Sequence, residues 1–558
     1  MSKYKKTTSF ILAFVIFAGL LAGCQQKRQV VLNEDGTSAI QNKTAIVAYN
    51  SVGYGHAWLE TLAAEFNEMY AEEGYKIELK ISPDMAYGNQ PNLEIRKGAE
   101  RNDVDMYLDA ANLENLLDAS DKVMRGKGAV LVDLTEEVWN KPAITLGKQE
   151  ESKLIKDRFL LDDTNLYYNG VKKEFHGGLY VLPSGMELWS TGIIINPSVL
   201  ARYGYTTDNL PKTTDEFIAM CEKISASTKD TGIYAYSWPG SNASGFLAYL
   251  FFEYFAQYSG AENFLNFCMT RPHSEATLEE ISQDGWKVYE DRGILEGLKA
   301  MEPIMKKEFS PPGSPSMNHM EAQHELLVGK AAFMIGGDWL FYQMKDQYYE
   351  EASQCLMMNT PVLSVIGTEC GITDAQLSQA VGMVDEDKSN EEIMSAIPGL
   401  DEAETNRIRE ARNIYCGGEV SLRSGMCIPA YADGRDVAIL FARFMCSEHA
   451  MKVIRNQGYK YNCYESADYA MEVETPYMKS VLANQDPGDG IYVAMDPSLS
   501  IVRANSGMLY FNHPMNIQPV TFKNMIMNTT GEMTSERMFE AEKEYAKTQW
   551  SIWTAYIK

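Results

Sequence analysis

Apolar and polar positions alternate in blocks along most of the chain. TAIVAYN (44–50) is a strand-like run. From about Gly55 to Glu73 the residues Trp58, Leu59, Leu62, Phe66, Met69 and Tyr70 recur at helical spacing, which predicts a helix with one buried stripe. YKIELKI (75–81) predicts the next strand, a helical stretch follows Pro91, and DVDMYLDA (103–110) predicts a third strand before the short helix NLENLLDA. This βαβαβ order implies a parallel sheet with helices on both faces. Such sheets hold ligands at the carboxyl ends of their strands.

A second block opens at Gly177, where GGLYVLPSGMELWSTGIIIN predicts a strand, a break at Pro183-Ser184-Gly185 and another strand. In PKTTDEFIAMCEKISA, Thr213 and Glu216 form a capping box before the helical stripe Phe217, Met220, Cys221 and Ile224. LLVGKAAFMIGGDWLF (326–341) is strand-like and is broken by Gly336-Gly337; residues 418–454 predict strand, loop and amphipathic helix; residues 534–558 are mainly helical. The charged runs DEDKSNEEI and DEAETNRIREARNIY, between Glu369 and Tyr415, predict a solvated helical addition. No internal repeat is present.

With 558 residues, 45% of them hydrophobic, the chain is long enough for several compact lobes. Its first nine residues carry Lys3, Lys5 and Lys6 and no acid, and Phe10 to Leu21 is an apolar run too short for a bilayer, which needs about 20 residues. That is the pattern of a secretory signal. Leu21-Ala22-Gly23-Cys24 resembles a bacterial lipobox, which implies cleavage before Cys24 and a lipid (palmitate) anchor on it. The stretch after it, to Lys43, is mostly polar without a sustained period, so residues 24–43 are expected to be a flexible tether reaching about 25 Å. The formal charge is −26, and losing three lysines with the signal leaves −29. Nucleic acid and anionic lipid are poor partners for such a surface. The eight cysteines other than Cys24 show no Cys-x-x-Cys spacing, so no thiolate metal site is indicated, and their disulfide state is open.

Four stretches, taken in order, carry a family resemblance. They are the lipobox; LYVLPSGMELWSTGIIINPSVLARYGY followed by LPKTTDEFIAMCEKI; VGKAAFMIGGDWL; and IPAYADGRDVAILFARFMCSEHA. The chain resembles the extracellular solute-binding lipoproteins of sugar ABC transporters, the group that includes maltose-binding protein, in its long Gram-positive form. The resemblance covers nearly everything after Lys43. It departs where Pro197-Ser198 follow Asn196 in place of the usual lysine. What it implies is an α/β, two-lobed fold of the periplasmic-binding-protein type II kind, with a ligand cleft between lobes and crossing hinge segments that let it close. Carried over, lobe 1 is 44–183 plus 424–480, and lobe 2 is 184–423 plus 481–558 with a helical insert at about 370–415. Pro183-Ser184-Gly185 is one hinge crossing. The resemblance further implies a monomer at the extracellular face of the cytoplasmic membrane, which binds a carbohydrate, expected to be an oligosaccharide, and passes it to ABC transporter permease subunits. No cofactor, metal or catalytic group belongs to that picture.

A sugar presents hydroxyls at its edge and C–H groups on its faces, so its site needs flat aromatic platforms with a few bidentate acceptors. Glu187 and Trp189 lie in the crossing segment, and Asp338 and Trp339 follow the Gly336-Gly337 break. Trp238 precedes the loop signature Pro239-Gly240. Asp109 ends the third strand, and Asp84 and Tyr87 follow the second. A tryptophan in an apolar segment is more often core than platform, and Trp58, on the helix stripe, is expected to be core.

Enzyme motifs fail one by one. SNASG lacks the first glycine of Gly-x-Ser-x-Gly, and Gly329-Lys330 is followed by Ala331 with no Walker glycine upstream. His319 and His324 are five apart where zinc on one helix face wants four, and DEDKSNEEI has Asn390 where a calcium loop needs glycine. Two other classes stay open on the residues alone: a secreted glycoside-active enzyme, and a binding protein for a non-sugar solute.

NSVGYGHAW (50–58) begins like a dinucleotide loop, but Trp58 stands where its third glycine belongs. It is expected to be a loop at the carboxyl end of the first strand, with Tyr54 and His56 as candidate ligand contacts.

Overall fold

The computed structural model describes residues 30–51, 55–82, 90–110, 116–117, 119–158, 178–182, 189–241, 246–418, 425–458, 464, 475–485, 491–494 and 534–555; the structural statements below concern these residues. Twelve strands are described: β1 Thr44–Asn50, β2 Lys76–Ser82, β3 Met106–Ala110, β4 Pro142–Thr145, β5 Gln149–Leu154, β6 Trp189–Ile195, β7 Tyr234–Ser237, β8 Ala331–Gly337, β9 Leu356–Met358, β10 Ile414–Gly418, β11 Gly425–Cys427 and β12 Ile491–Ala494.

The first sheet has the order β11-β3-β1-β2, with β1, β2 and β3 parallel as predicted and β11 antiparallel at the edge. The apolar run of β1 is continuous because both its faces are covered. Ala45, Val47 and Tyr49 face a core with Trp58, Phe66 and Phe441, whereas Ile46 and Ala48 face Ile95, Leu116 and Tyr431. Each of these large side chains stabilises the fold by roughly 1.5–3 kcal/mol through burial. Trp58, fully buried and edge-on to Tyr49 at 5.3 Å, is core as expected. A buried carboxylate ties the amino edge of this sheet to the helix Arg435–Met445. Asp105 accepts from the backbone N–H of Ile46 at 2.8 Å and of Gly434 at 2.9 Å, and Gly434 stands directly before that helix.

The second sheet has the order β12-β10-β6-β8-β7, with β9 also paired to β6. β6 runs antiparallel to β8, β9 and β10, while β7 is parallel to β8 and β12 to β10. Its core is separate from the first and is built on the very apolar helix Phe246–Ser259, the helices Thr214–Ser225 and Arg292–Ile304, and the C-terminal helix Ser535–Trp553. Thr213 caps its helix by accepting from the N–H of Glu216, but the returning Glu216 carboxylate takes the N–H of Lys212, so the box is only half formed.

Three expectations change. Residues 30–43 are docked on the first half: Leu32 bridges Ser38, the Ala39 N–H donates to the Val31 carbonyl at 2.8 Å, and the Asn42 N–H donates to the Asp433 carbonyl at 2.5 Å. The expected 24–43 tether is therefore ordered over most of its length. The 370–415 addition is three helices, Asp374–Asp385, Asn390–Ala396 and Glu402–Asn413, each opened by a reciprocal capping box. Only its outer face is solvated, since Leu377, Val381, Ile393 and Ile408 belong to the second core. Finally, the helix Pro476–Gln485 packs in the second half, where Tyr477, Met478 and Val481 cluster with Leu340 and Met357. The first lobe's second segment, expected to run to 480, ends before Thr475. The described cysteines 221, 268, 355, 370, 427 and 446 are buried, and none of them is joined to another by a disulfide.

Candidate functional site

Two chain crossings between the sheets run from one paired end to another. Leu182 and Met426 exchange backbone hydrogen bonds of 2.9 and 2.7 Å, and at the other end of the two crossings Trp189 pairs with Gly418 and Ser190 with Gly417. Gly425, which leads into β11, has φ of +134°, and a Cβ there would lie 2.7 Å from the Leu182 carbonyl. The expected hinge residues Pro183, Ser184 and Gly185 fall between these anchor points, outside the described residues. A third crossing joins Tyr464, in the first core, to Thr475 before the helix Pro476–Gln485.

These pairings place the edges. β11 enters the first sheet with Gly425 opposite Ala110, at the carboxyl end of β3, and β10 leaves the second sheet at its own carboxyl end. Both sheets therefore turn the carboxyl ends of their parallel strands toward the crossings. At the second sheet's edge stand the start of β6 (Trp189, Ser190), the end of β8 leading into Asp338 and Trp339, the end of β7 leading into Trp238, and the end of β10 (Gly417, Gly418). Sequence spacing alone could not show that segments 150 residues apart converge there.

Trp339 is 7% exposed. Its ring packs against Phe246 at 5.4 Å and Tyr249 at 6.3 Å, both on the first turn of the helix Phe246–Ser259 and both only partly buried. Asp338 is buried, 2% exposed. The strand end beneath it is pinned by Tyr477, whose hydroxyl donates to the Gly337 carbonyl at 2.8 Å. Burial, and after it the negative charge of Asp338, push the Tyr477 hydroxyl well above its ordinary range, so it stays a donor. Phe246, Tyr249 and Tyr477 were missed in the sequence. The aromatic spacing of FLAYLFFEYF was visible there, but it is also the spacing of a buried helix.

Trp238 is placed differently from an exposed platform. It is 1% exposed, lies in the second core, and its Nε1–H donates to the Ser310 hydroxyl at 3.2 Å. The next turn is locked as well: the Gly240 N–H donates to the Ser314 carbonyl at 2.9 Å, and a Cβ on Gly240 would lie 2.5 Å from Pro315. The indole N–H is bonded within the lobe and the ring is buried, so Trp238 is a core residue here.

At the first sheet, β1 and β2 end side by side with Asn50 opposite Ser82, and the Ser51 N–H donates to the Ser82 carbonyl at 2.9 Å. Gly55 takes the positive φ of +66° that the NSVGYGHAW turn needs. His56 opens the helix Ala57–Met69 without a side-chain cap and lies 3.6 Å from Glu60, with 43% of its side chain exposed. Asp109 sits in β3 one residue from its end and Trp189 begins β6, but their side chains lie outside the described residues, as do Tyr54, Asp84, Tyr87, Glu187 and Cys24.

Residues 53–354 match the family model described as bacterial extracellular solute-binding protein, more than half of the chain. The chain belongs to that family. Among solved structures, this solute-binding protein is similar to a chitin oligosaccharide binding protein, with 14% identity and a TM-score of 0.54 over 91% of this chain and 99% of the other. It is also similar to a protein described in connection with xylan utilization by Caldanaerobius polysaccharolyticus, with 12% identity and a TM-score of 0.53 over 90% and 99%. A third likeness is to maltose-bound MalE3 of T. maritima, with 14% identity and a TM-score of 0.52 over 90% and 99%. At these identities the likeness shows the two-lobed α/β fold. No curated protein sequence matches the chain. Among the described residues no helix is long and apolar enough to cross a membrane.

Proposed function

We propose that this solute-binding protein is a carbohydrate receptor, lipid-anchored at Cys24 on the outer face of the cytoplasmic membrane, that hands an oligosaccharide to an ABC transporter permease. The observation that carries the reading is the edge of the second sheet. The start of β6 at Trp189 lies beside the end of β8 that leads into Asp338 and Trp339, next to two crossings, with Phe246 and Tyr249 against the indole of Trp339. Aromatic side chains together with carboxylates are the residue types that a polyhydroxylated ring requires. The fold-level neighbours that bind chitin oligosaccharide and maltose support the class.

The mechanism is closure rather than bond chemistry. A ligand held by the second-lobe edge and also by Asp109, His56 or the 52–54 loop of the first lobe favours the state in which the lobes approach, by no more than its difference in affinity for the two states. The backbone pairs Leu182–Met426 and Trp189–Gly418 bracket the stretches in which the lobes would turn. Asp338, buried at that edge, is the candidate for selectivity, because a site built to bond a hydroxyl rejects analogues that lack it. Trp238 is no longer part of the site.

The test is calorimetric titration of the purified protein with a panel of oligosaccharides, with product analysis in parallel. Saturable binding without shortened products supports the reading. Shortened products would make the chain an enzyme, and absence of binding to every glycan would remove the ligand class.

A further inference from the structure

Residues 30–43 are built into the first lobe. Residues 31–39 form a small hairpin. The Asn33 N–H donates to the Thr37 carbonyl at 2.9 Å, the Gly36 N–H donates to the Asn33 carbonyl at 3.0 Å, and Ser38 is 5% exposed. Val30 packs on the core of Ile95, Met124 and Tyr180. The hairpin tip lies on the turn after the helix Ser120–Met124: the Lys127 ammonium donates to the Asn33 carbonyl at 3.0 Å, and a Cβ on Gly36 would lie 2.7 Å from the Met124 methyl.

Only five residues, Gln25 to Gln29, separate Cys24 from Val30. Fully extended, that stretch spans roughly 20 Å. A chain free to Lys43 would span roughly 65 Å and would let the body take any orientation. We infer that residues 30–43 act as a docked strap which turns the Ser120–Gly128 face of the first lobe toward the bilayer. The inference rests on the anchor reading of Cys24.

Charge agrees with this placement. Lys27 and Arg28 in the linker, with Lys122, Arg125 and Lys127 on the dock, stand against Glu34, Asp35 and Asp121, a surplus of cations on a chain of net charge −26. This end of the molecule is therefore one that an anionic surface does not repel. The short linker rather than net attraction sets the orientation.

The experiment uses the full-length lipoprotein in vesicles of phosphatidylglycerol and phosphatidylcholine. Cys24→Ala is run first: its release from the membrane fraction establishes the anchor, and its retention would overturn anchor and strap together. With the anchor established, amide hydrogen exchange at Ala39 and Asn42 is expected to be at least 100-fold slower than in a free chain. A fluorophore on Lys122→Cys is expected to transfer energy to headgroup acceptors. Inserting 20 Gly/Ser residues between Gln29 and Val30, or undocking the hairpin with Gly36→Val, is expected to lower that transfer at least twofold. Free-chain exchange at Ala39 and Asn42, or transfer unchanged by the insertion, would overturn the strap while leaving the anchor intact.

Discussion

Replacing Glu253 by glutamine should make the protein more stable, and increasingly so as pH rises. Glu253 lies on the helix Phe246–Ser259 with 3% of its surface exposed. It is hydrogen-bonded to Thr360, whose carbonyl also accepts from Arg412 at 3.0 Å, and Arg412 forks onto Asp385 at 2.6 and 2.8 Å. Burial pushes the Glu253 carboxyl up to about 8, against the Thr360 hydrogen bond and the Arg412 charge, both of which favour the carboxylate. The folded protein thus holds a proton at pH 7 that the unfolded chain, with an ordinary value of 4.5, has lost. For an acid raised in this way, stability is complete below 4.5 and falls as pH climbs through 8. At pH 7 the loss is about 3 kcal/mol, from about 2.5 pH units at about 1.4 kcal/mol each. Glutamine keeps the polar shape and cannot ionise in either state. Urea denaturation of Glu253→Gln and the parent at pH 5, 6, 7 and 8 should show a gap in stability that widens by about 1 kcal/mol per pH unit. A gap that stays constant from pH 5 to 8 would mean that the carboxyl is ionised in the fold, and would refute the reasoning.

The same sign applies to Glu542, raised to about 8 by burial alone, so Glu542→Gln should remove a second pH slope in the same window, read by the same urea series. Trp238→Phe should cost about 1–3 kcal/mol by stranding the Ser310 hydroxyl and opening space, with ligand affinity unchanged within about twofold by calorimetry. Trp339→Ala should both cost about 3–5 kcal/mol, because its ring is nearly buried, and weaken sugar binding at least about tenfold, whereas Trp339→Phe should restore part of each. Gly434→Ala would place a Cβ 2.5 Å from the Thr44 carbonyl and 2.8 Å from the Asp105 carboxylate; a loss of about 1–3 kcal/mol in thermal or urea unfolding is expected.

Much of the architecture was legible because its signals are local and periodic. The β1, β2 and β3 runs and the Trp58 to Phe66 stripe declare a parallel sheet covered on both faces, and the stretches that contain Trp189 and Trp339 fall within residues 53–354, which match the family. What was hidden depends on contacts between distant segments. Residues 30–43 look like tether by composition, yet Asp35-Gly36 between Val31 and Ala39 is a hairpin signal whose docking partner, the turn at Lys127, lies some ninety residues away. The insert helices look solvated because charges crowd their outer faces, while Leu377, Val381 and Val384 recur at helical spacing beneath the first of them. Trp238 and Trp339 look alike in sequence, each next to a glycine-containing break. Ser310 claims the first, and the aromatic pair Phe246 and Tyr249 leaves the second at the sheet edge. The buried carboxylate of Asp105 is one of 76 acidic residues, and nothing local marks it as the link between a strand and the helix after Gly434.

The central claim is that the carboxyl edge of the second sheet binds a carbohydrate. Calorimetric titration of the parent, Trp339→Phe and Trp238→Phe with the tightest oligosaccharide found in the panel tests it most directly. Saturable binding to the parent is expected, weakened by Trp339→Phe and unaffected by Trp238→Phe. Equal affinity in all three proteins, or no heat with any glycan, would contradict it.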